Sequence, residues 1–150
     1  MAESLKFVVV GSGRIGRRHA SMVKLHPGAE LVAMVDIDTY LKDELETEFD
    51  CPFFGSMEDY LNSDIKADIV NVCTPNYLHA SQSIAAVKSG HHVVVEKPMA
   101  LSKADAEEVI HSALQHNRQV FCVMQNRYSP PARWLKEVVS SGVLGEIYMV

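Results

Sequence analysis

Short apolar runs recur along the chain at residues 7–10, 31–35, 69–73, 93–95 and 120–124. They are continuous rather than alternating, and rich in valine. Strands read this way when both faces of a sheet are covered, as in parallel sheets. Residues 52–54 form a weaker strand candidate. Between the runs, apolar residues recur at helical spacing. Ile15, His19, Met22 and Val23 share one face, as do Tyr77, Ala80, Ile84 and Val87. Ala106, Val109, Ile110 and Ala113 form a third set, and Ala132, Leu135 and Val139 a fourth. Ser56…Asp59 and Ser102…Asp105 have capping-box spacing with Asp in the acidic place, and Gly90 marks a helix end before the fourth strand.

Strand and helix alternating through the chain predict βαβ units and an α/β fold with a doubly wound parallel sheet. Ligands of such sheets bind at the carboxyl ends of the strands, so the loops there are the places to look for chemistry. Gly142 and Gly145 close the last helix and open a new extended run. We therefore expect residues 1–144 to form one domain. Residues 145–150 are expected to start a second α/β domain that lies outside this chain.

Composition narrows the function classes. The chain has 150 residues, 47% hydrophobic and 22% charged, with net charge -5. This is the profile of a single globular domain rather than a disordered or fibrous chain. A mildly acidic balance argues against nucleic acid as a partner. The three cysteines Cys51, Cys73 and Cys122 lack metal-ligand spacing and point to a reducing compartment. The first apolar run is too short for a secretory signal, and no run reaches the roughly 20 residues of a membrane span. The expected location is the cytoplasm, with no membrane partner.

The first run leads straight into Gly11-Ser-Gly13-Arg14-Ile15-Gly16 and then a helical segment. This is GxGxxG in strand–turn–helix context. Gly11 permits the tight turn, Gly13 lets a pyrophosphate approach the backbone, and Gly16 lets helix and strand pack closely. The helix N-terminus offers free N–H groups and partial positive charge, with the Arg14 and Ile15 amides in its first turn. Asp36 ends the second run 20 positions after Gly16, where an acid that binds ribose hydroxyls belongs. Together these predict a dinucleotide site of the Rossmann type. A carboxylate repels a 2′-phosphate, and Ile37-Asp38 supply no arginine to hold one, so NAD is expected over NADP. Arg17 and Arg18 read as a solvated helix face.

Three polar clusters sit at later strand ends: Thr74-Pro75-Asn76-Tyr77-Leu78-His79, Glu96-Lys97-Pro98 and Gln125-Asn126-Arg127-Tyr128. Pro98 restricts Lys97 to extended backbone, with trans as the default for the bond between them. Beside an oxidised nicotinamide, like charge favours the neutral amine, which can take a proton from a substrate hydroxyl. The bland alternative is a surface lysine paired with Glu96.

These residues, with His19-Ala20 after the glycine turn, resemble the Gfo/Idh/MocA oxidoreductases over essentially the whole chain. Glu96-Lys97-Pro98 is the most specific mark. The resemblance implies an N-terminal Rossmann domain followed by a C-terminal α/β domain with an open antiparallel sheet. It implies NAD(P)-dependent hydride transfer on a secondary alcohol of a sugar, nucleotide-sugar or cyclitol. It assigns Lys97 to proton transfer or substrate positioning, and Glu96 to the cofactor site with it. Thr74, Pro75, Asn76 and His79 fall near the nicotinamide half, and Asn126 and Arg127 match the family's Asn-x-Arg segment approximately. Within the family, Thr-Pro-Asn-Tyr-Leu-His with Gln-Asn-Arg is similar to dehydrogenases that oxidise C3 of UDP-N-acetylglucosaminuronate. Members are about twice this long, so this chain alone is expected to bind cofactor without turnover, and the parent to be a homo-oligomer, dimer or tetramer. A non-catalytic NAD(P)-sensing regulator and a methyltransferase are the rival readings.

Other features read as structural. His91 and His92 are adjacent, and His111 and His116 are five apart, so no metal site is expected. His19 reads as a packed, hydrogen-bonded residue, and Cys73 and Cys122 as small apolar ones.

Overall fold

The computed structural model describes residues 4–149. Six strands form one parallel sheet: β1 (Leu5–Val10), β2 (Ala29–Val35), β3 (Phe53–Phe54), β4 (Ile69–Val72), β5 (His92–Val95) and β6 (Val120–Cys122). Their spatial order is β3-β2-β1-β4-β5-β6. All five pairings are parallel. The helices are α1 (Arg14–Leu25), α2 (Lys42–Phe49), α3 (Met57–Leu61), α4 (His79–Lys88), α5 (Lys103–Gln115) and α6 (Pro130–Ser140).

The valine runs are central strands buried on both sides. On one face Val8, Val10, Val70, Val72, Val93 and Val95 pack with Tyr60 of α3, Ala86 and Val87 of α4 and Ala113 of α5. On the other, Val9, Leu31 and Met34 pack with Ala20 and Val23 of α1 and with Leu45 and Phe49 of α2. The sheet is thus doubly wound, as the apolar runs predicted. The winding reverses between β1 and β4, and that reversal opens a crevice at the strands' carboxyl ends.

Two helices escaped the periodicity reading. α2 buries only Leu45 and Phe49, and α3 is five residues long. Neither carries enough apolar positions for a period to show. The serine caps are as predicted, with one local difference. Ser56 Oγ accepts from the Asp59 N–H (3.0 Å) and donates to the Asp59 carboxylate (2.7 Å). Ser102 and Asp105 do the same. In a full capping box the acid reaches the cap residue's own N–H; here the shorter Asp takes the serine hydroxyl.

After α6, Gly142 and Gly145 have φ of +72° and +66° and bound a turn closed by the Gly145 N–H on the Gly142 oxygen. Residues 147–149 pair with no strand among the described residues, and the expectation for residue 150 lies outside them. No helix among the described residues is long and apolar enough to cross a membrane.

Candidate functional site

The glycine turn is fixed by sterics. Gly11 has φ +92°, and a Cβ there would stand 2.8 Å from the Cys73 carbonyl carbon and oxygen at the end of β4. A Cβ on Gly16 would fall 1.7 Å from the Gly11 oxygen, so helix and turn touch backbone to backbone. A Cβ on Gly13 would meet nothing within 4 Å. That leaves the backbone at Gly13 open to close approach by a ligand. Gly13 is the N-cap of α1, and no side chain caps it; the first turn holds no acid. The amides of Arg14, Ile15 and Gly16 are therefore left to bind an anion.

Asp36 is built into this turn. Its Oδ2 accepts from the Ser12 N–H (2.6 Å) and the Ser12 hydroxyl (2.5 Å), and its Oδ1 from the Asp38 N–H (3.0 Å). Burial works to raise the carboxyl's pKa, but the donated bonds from Asp38, Ser12 and Ile37 outweigh it. They hold it below the ordinary 3.8. A carboxylate favoured in its ionised form, half-buried beside the turn, suits ribose hydroxyls and repels a second phosphate. A cavity of about 100 Å³ adjoins it, lined by Gly11, Asp36, Thr74 and Pro75 and walled by the apolar Ile37, Met57 and Leu78. Such walls can hold a flat base.

A second, wider groove of about 520 Å³ opens on the α1 side, with Arg14, Ile15, His19, Asn71, Glu96 and Gln125 among its lining. Glu96 follows β5. Its Oε1 pairs with His19 Nε2 (3.1 Å), and its Oε2 accepts from the Lys97 N–H (3.2 Å). The Glu96 carboxylate is thus engaged by His19 and the Lys97 amide, and no Glu96–Lys97 ion pair forms. Lys97 is exposed, and its ammonium engages no partner among the described residues. The Lys97–Pro98 bond is cis, not the trans default.

Asn76, Asn126 and Arg127 lie exposed in short 3-10 turns after β4 and β6, on the same edge of the sheet. They line neither cavity. His79, expected near the nicotinamide half, is a buried residue whose ring nitrogens are both engaged. It is 1% exposed, and its two ring nitrogens face the Pro98 oxygen (2.6 Å) and the Thr74 oxygen (2.8 Å). It joins two site loops from beneath and has no free edge for a cofactor. Arg17 is no solvated residue either: it binds the Ser12 carbonyl (3.2 Å), Glu44 (2.8 Å) and Glu48, tying α1 to α2.

Sequence reasoning missed Ser12, Ile37, Met57 and Asn71. The Ser12 hydroxyl was visible inside the motif but nothing in the spacing aimed it at Asp36. Asn71 was hidden inside an apolar run. Burial raises the Cys51 thiol to about 11, and burial with the Glu96 charge raises Cys73 to about 12, so neither favours the thiolate at neutral pH. Among the described residues no cluster of metal-ligating side chains occurs.

This site can be set beside known proteins. D-glucoside 3-dehydrogenase of Escherichia coli is 29% identical over 97% of this chain and 42% of its own length. A 2,7-anhydro-N-acetylneuraminate hydratase of Mediterraneibacter gnavus is also 29% identical over 97% of this chain, and 38% of its own length. The crystal structure of the WlbA dehydrogenase from Chromobacterium violaceum, in complex with NADH and UDP-GlcNAcA, superimposes with a TM-score of 0.93 at 33% identity. It covers 99% of this chain and 43% of that one. The chain thus spans about two fifths of the length of the relatives it matches. The family model described as the Gfo/Idh/MocA oxidoreductase family, NAD-binding Rossmann fold, matches residues 5–124, and the chain belongs to that family.

Proposed function

We propose that this chain is the cofactor half of an NAD-dependent oxidoreductase acting on a secondary alcohol of a sugar, nucleotide sugar or cyclitol. The observation that carries the reading is the Asp36 carboxylate, held ionised by Ser12 of the glycine turn beside an uncapped helix N-terminus. In this reading the α1 amides and Arg14 bind the diphosphate, and Asp36 the adenosine ribose. Ile37, Met57 and Leu78 flank the base, and Thr74, Pro75 and Asn76 border the nicotinamide half with Glu96, Asn126 and Arg127. When bound, NAD supplies the hydride acceptor. The Lys97 amine takes the hydroxyl proton as the carbinol C–H leaves as hydride, giving ketone and a protonated lysine.

The WlbA complex supports a nucleotide-sugar acid as the first substrate class to try. The hydratase relative shows why the net reaction is not read from this half alone: the same cofactor domain serves a protein named for hydration. We place residues 145–150 at the start of a substrate domain, in a cytoplasmic homo-oligomer. Support comes from α6, which buries no residue and exposes Trp134, Leu135 and Val139. The 150-residue chain then binds cofactor without turnover, since the substrate has only one wall.

The test is the Lys97→Met variant of the full-length polypeptide. It should bind NADH as the parent does and lose at least about 100-fold in kcat, the low end of what a positioned proton-transfer group contributes. Undiminished turnover contradicts the role given to Lys97. A parent that binds NADH but turns over no sugar, nucleotide sugar or cyclitol would point instead to the sensing regulator.

A further inference from the structure

We infer that two histidines position Lys97 from either side: His19 through the Glu96 carboxylate, and His79 through the Pro98 carbonyl. The inference rests on the proton role proposed for Lys97 and deepens it.

Lys97 has no means of fixing itself. Its side chain is exposed and its ammonium unpartnered among the described residues. It sits in a stretch without regular structure, between the end of β5 and the start of α5 at Lys103. From residue 97 to residue 101, the described hydrogen bonds to the backbone are two. The Lys97 N–H donates to Glu96 Oε2 at 3.2 Å, and the Pro98 carbonyl accepts from the His79 ring at 2.6 Å. One lies immediately before the Lys97 Cα and the other just after it.

Each bond is anchored deeper in the fold. The other Glu96 oxygen, Oε1, is held by His19 Nε2 at 3.1 Å. His19 Nδ1 faces the Asn71 amide nitrogen at 3.3 Å. That amide donates, so Nδ1 accepts and Nε2 carries the hydrogen given to Glu96. Asn71 is 3% exposed in the middle of β4, one of the central strands. Lys97 is thereby tied through Glu96 and His19 to the same helix whose first turn faces the diphosphate. On the other side, His79 is 1% exposed and also faces the Thr74 oxygen at 2.8 Å. Carbonyl oxygens only accept, and a neutral ring carries one N–H, so the ring donates to one of the two; we assign that bond to Nδ1–H and the Pro98 oxygen, the shorter contact. We treat both as positioning residues, since the ring nitrogens of His19 face Glu96 and Asn71 and those of His79 face Pro98 and Thr74. A loop shift of 1 Å at a reacting group costs on the order of 100-fold in rate, which makes these two bonds worth keeping.

Donor position separates this role from plain structural support. In the full-length polypeptide, His19→Gln keeps a donor near the Nε2 place, and His19→Leu removes it. His79→Asn keeps a donor near the Nδ1 place that faces Pro98, and His79→Gln moves it to the Nε2 place that faces Thr74. Steady-state kcat and NADH affinity are measured for all four, with Lys97→Met alongside and melting temperatures recorded. The expected result is that His19→Gln exceeds His19→Leu in kcat by about tenfold or more, and His79→Asn exceeds His79→Gln in the same sense. NADH affinity should stay within about threefold throughout. Equal kcat within each pair, or kcat that follows melting temperature rather than donor position, overturns the inference while leaving the Lys97 role standing. Undiminished turnover in Lys97→Met overturns that role and this inference together. Should the buried His79 variants fail to fold, the His19 pair, whose side chain is less deeply buried at 18% exposed, decides alone.

Discussion

The stretch from β1 to β2 and the stretch after β6 make an instructive contrast. The first folds 31 residues around a turn in which nearly every atom is specified. Gly11 and Gly16 admit no side chain, Ser12 is bonded to Asp36 twice, and Val8, Val9 and Val10 are buried. The second, residues 123–149, buries no residue at all. Its helix α6 is plainly amphipathic, yet Trp134, Leu135 and Val139 are 64%, 54% and 45% exposed. A periodic apolar stripe therefore announces a helix but not what covers it. A turn closed by sterics, with a carboxylate bonded into it, is specified by its own residues.

Substitutions can break this contrast. The largest effect is expected from Gly16→Ala, because the new methyl would stand 1.7 Å from a backbone oxygen that no rotamer change can move. Such overpacking costs about 1–3 kcal/mol or more, and this variant should lie at or above the top of that range. A melt within 2 °C of the parent would show that the turn has slack. Next comes a matched pair. Leu45→Ala removes a fully buried side chain of α2 and should cost about 2–5 kcal/mol, whereas Leu135→Ala on α6 should stay within about 0.5 kcal/mol. Urea unfolding of this chain measures both. Equal costs would mean that α6 is packed in solution and that the contrast is false.

How much was legible in the sequence follows the same division. The sheet could be read because parallel central strands are buried on both faces, so runs such as Val8-Val9-Val10 are unbroken by polar positions. The glycine turn and Asp36 could be read because backbone sterics and ribose chemistry leave few residue choices. α2 could not, since two buried residues four apart make no periodic signal. The supports of the site were equally hidden. His19, Asn71 and Glu96 meet across 52 and 77 positions of sequence, and the partners of His79 are backbone carbonyls, which leave no trace in residue identity. Thr74 and Pro75 were found by their place after β4, while Ile37 and Met57 looked like ordinary apolar residues until the fold set them around one cavity.

We propose that the turn at Gly11 and the Asp36 carboxylate together grip a dinucleotide. Fluorescence titration of this chain with NADH and with NADPH, in the native sequence and in Asp36→Ala, tests it most directly. NADH should bind saturably and NADPH more weakly, and the variant should lose about tenfold or more in NADH affinity with the preference between the two narrowed. No binding of either nucleotide by the folded chain, or an Asp36→Ala variant that binds NADH as well as the native chain and still discriminates against NADPH, would contradict it.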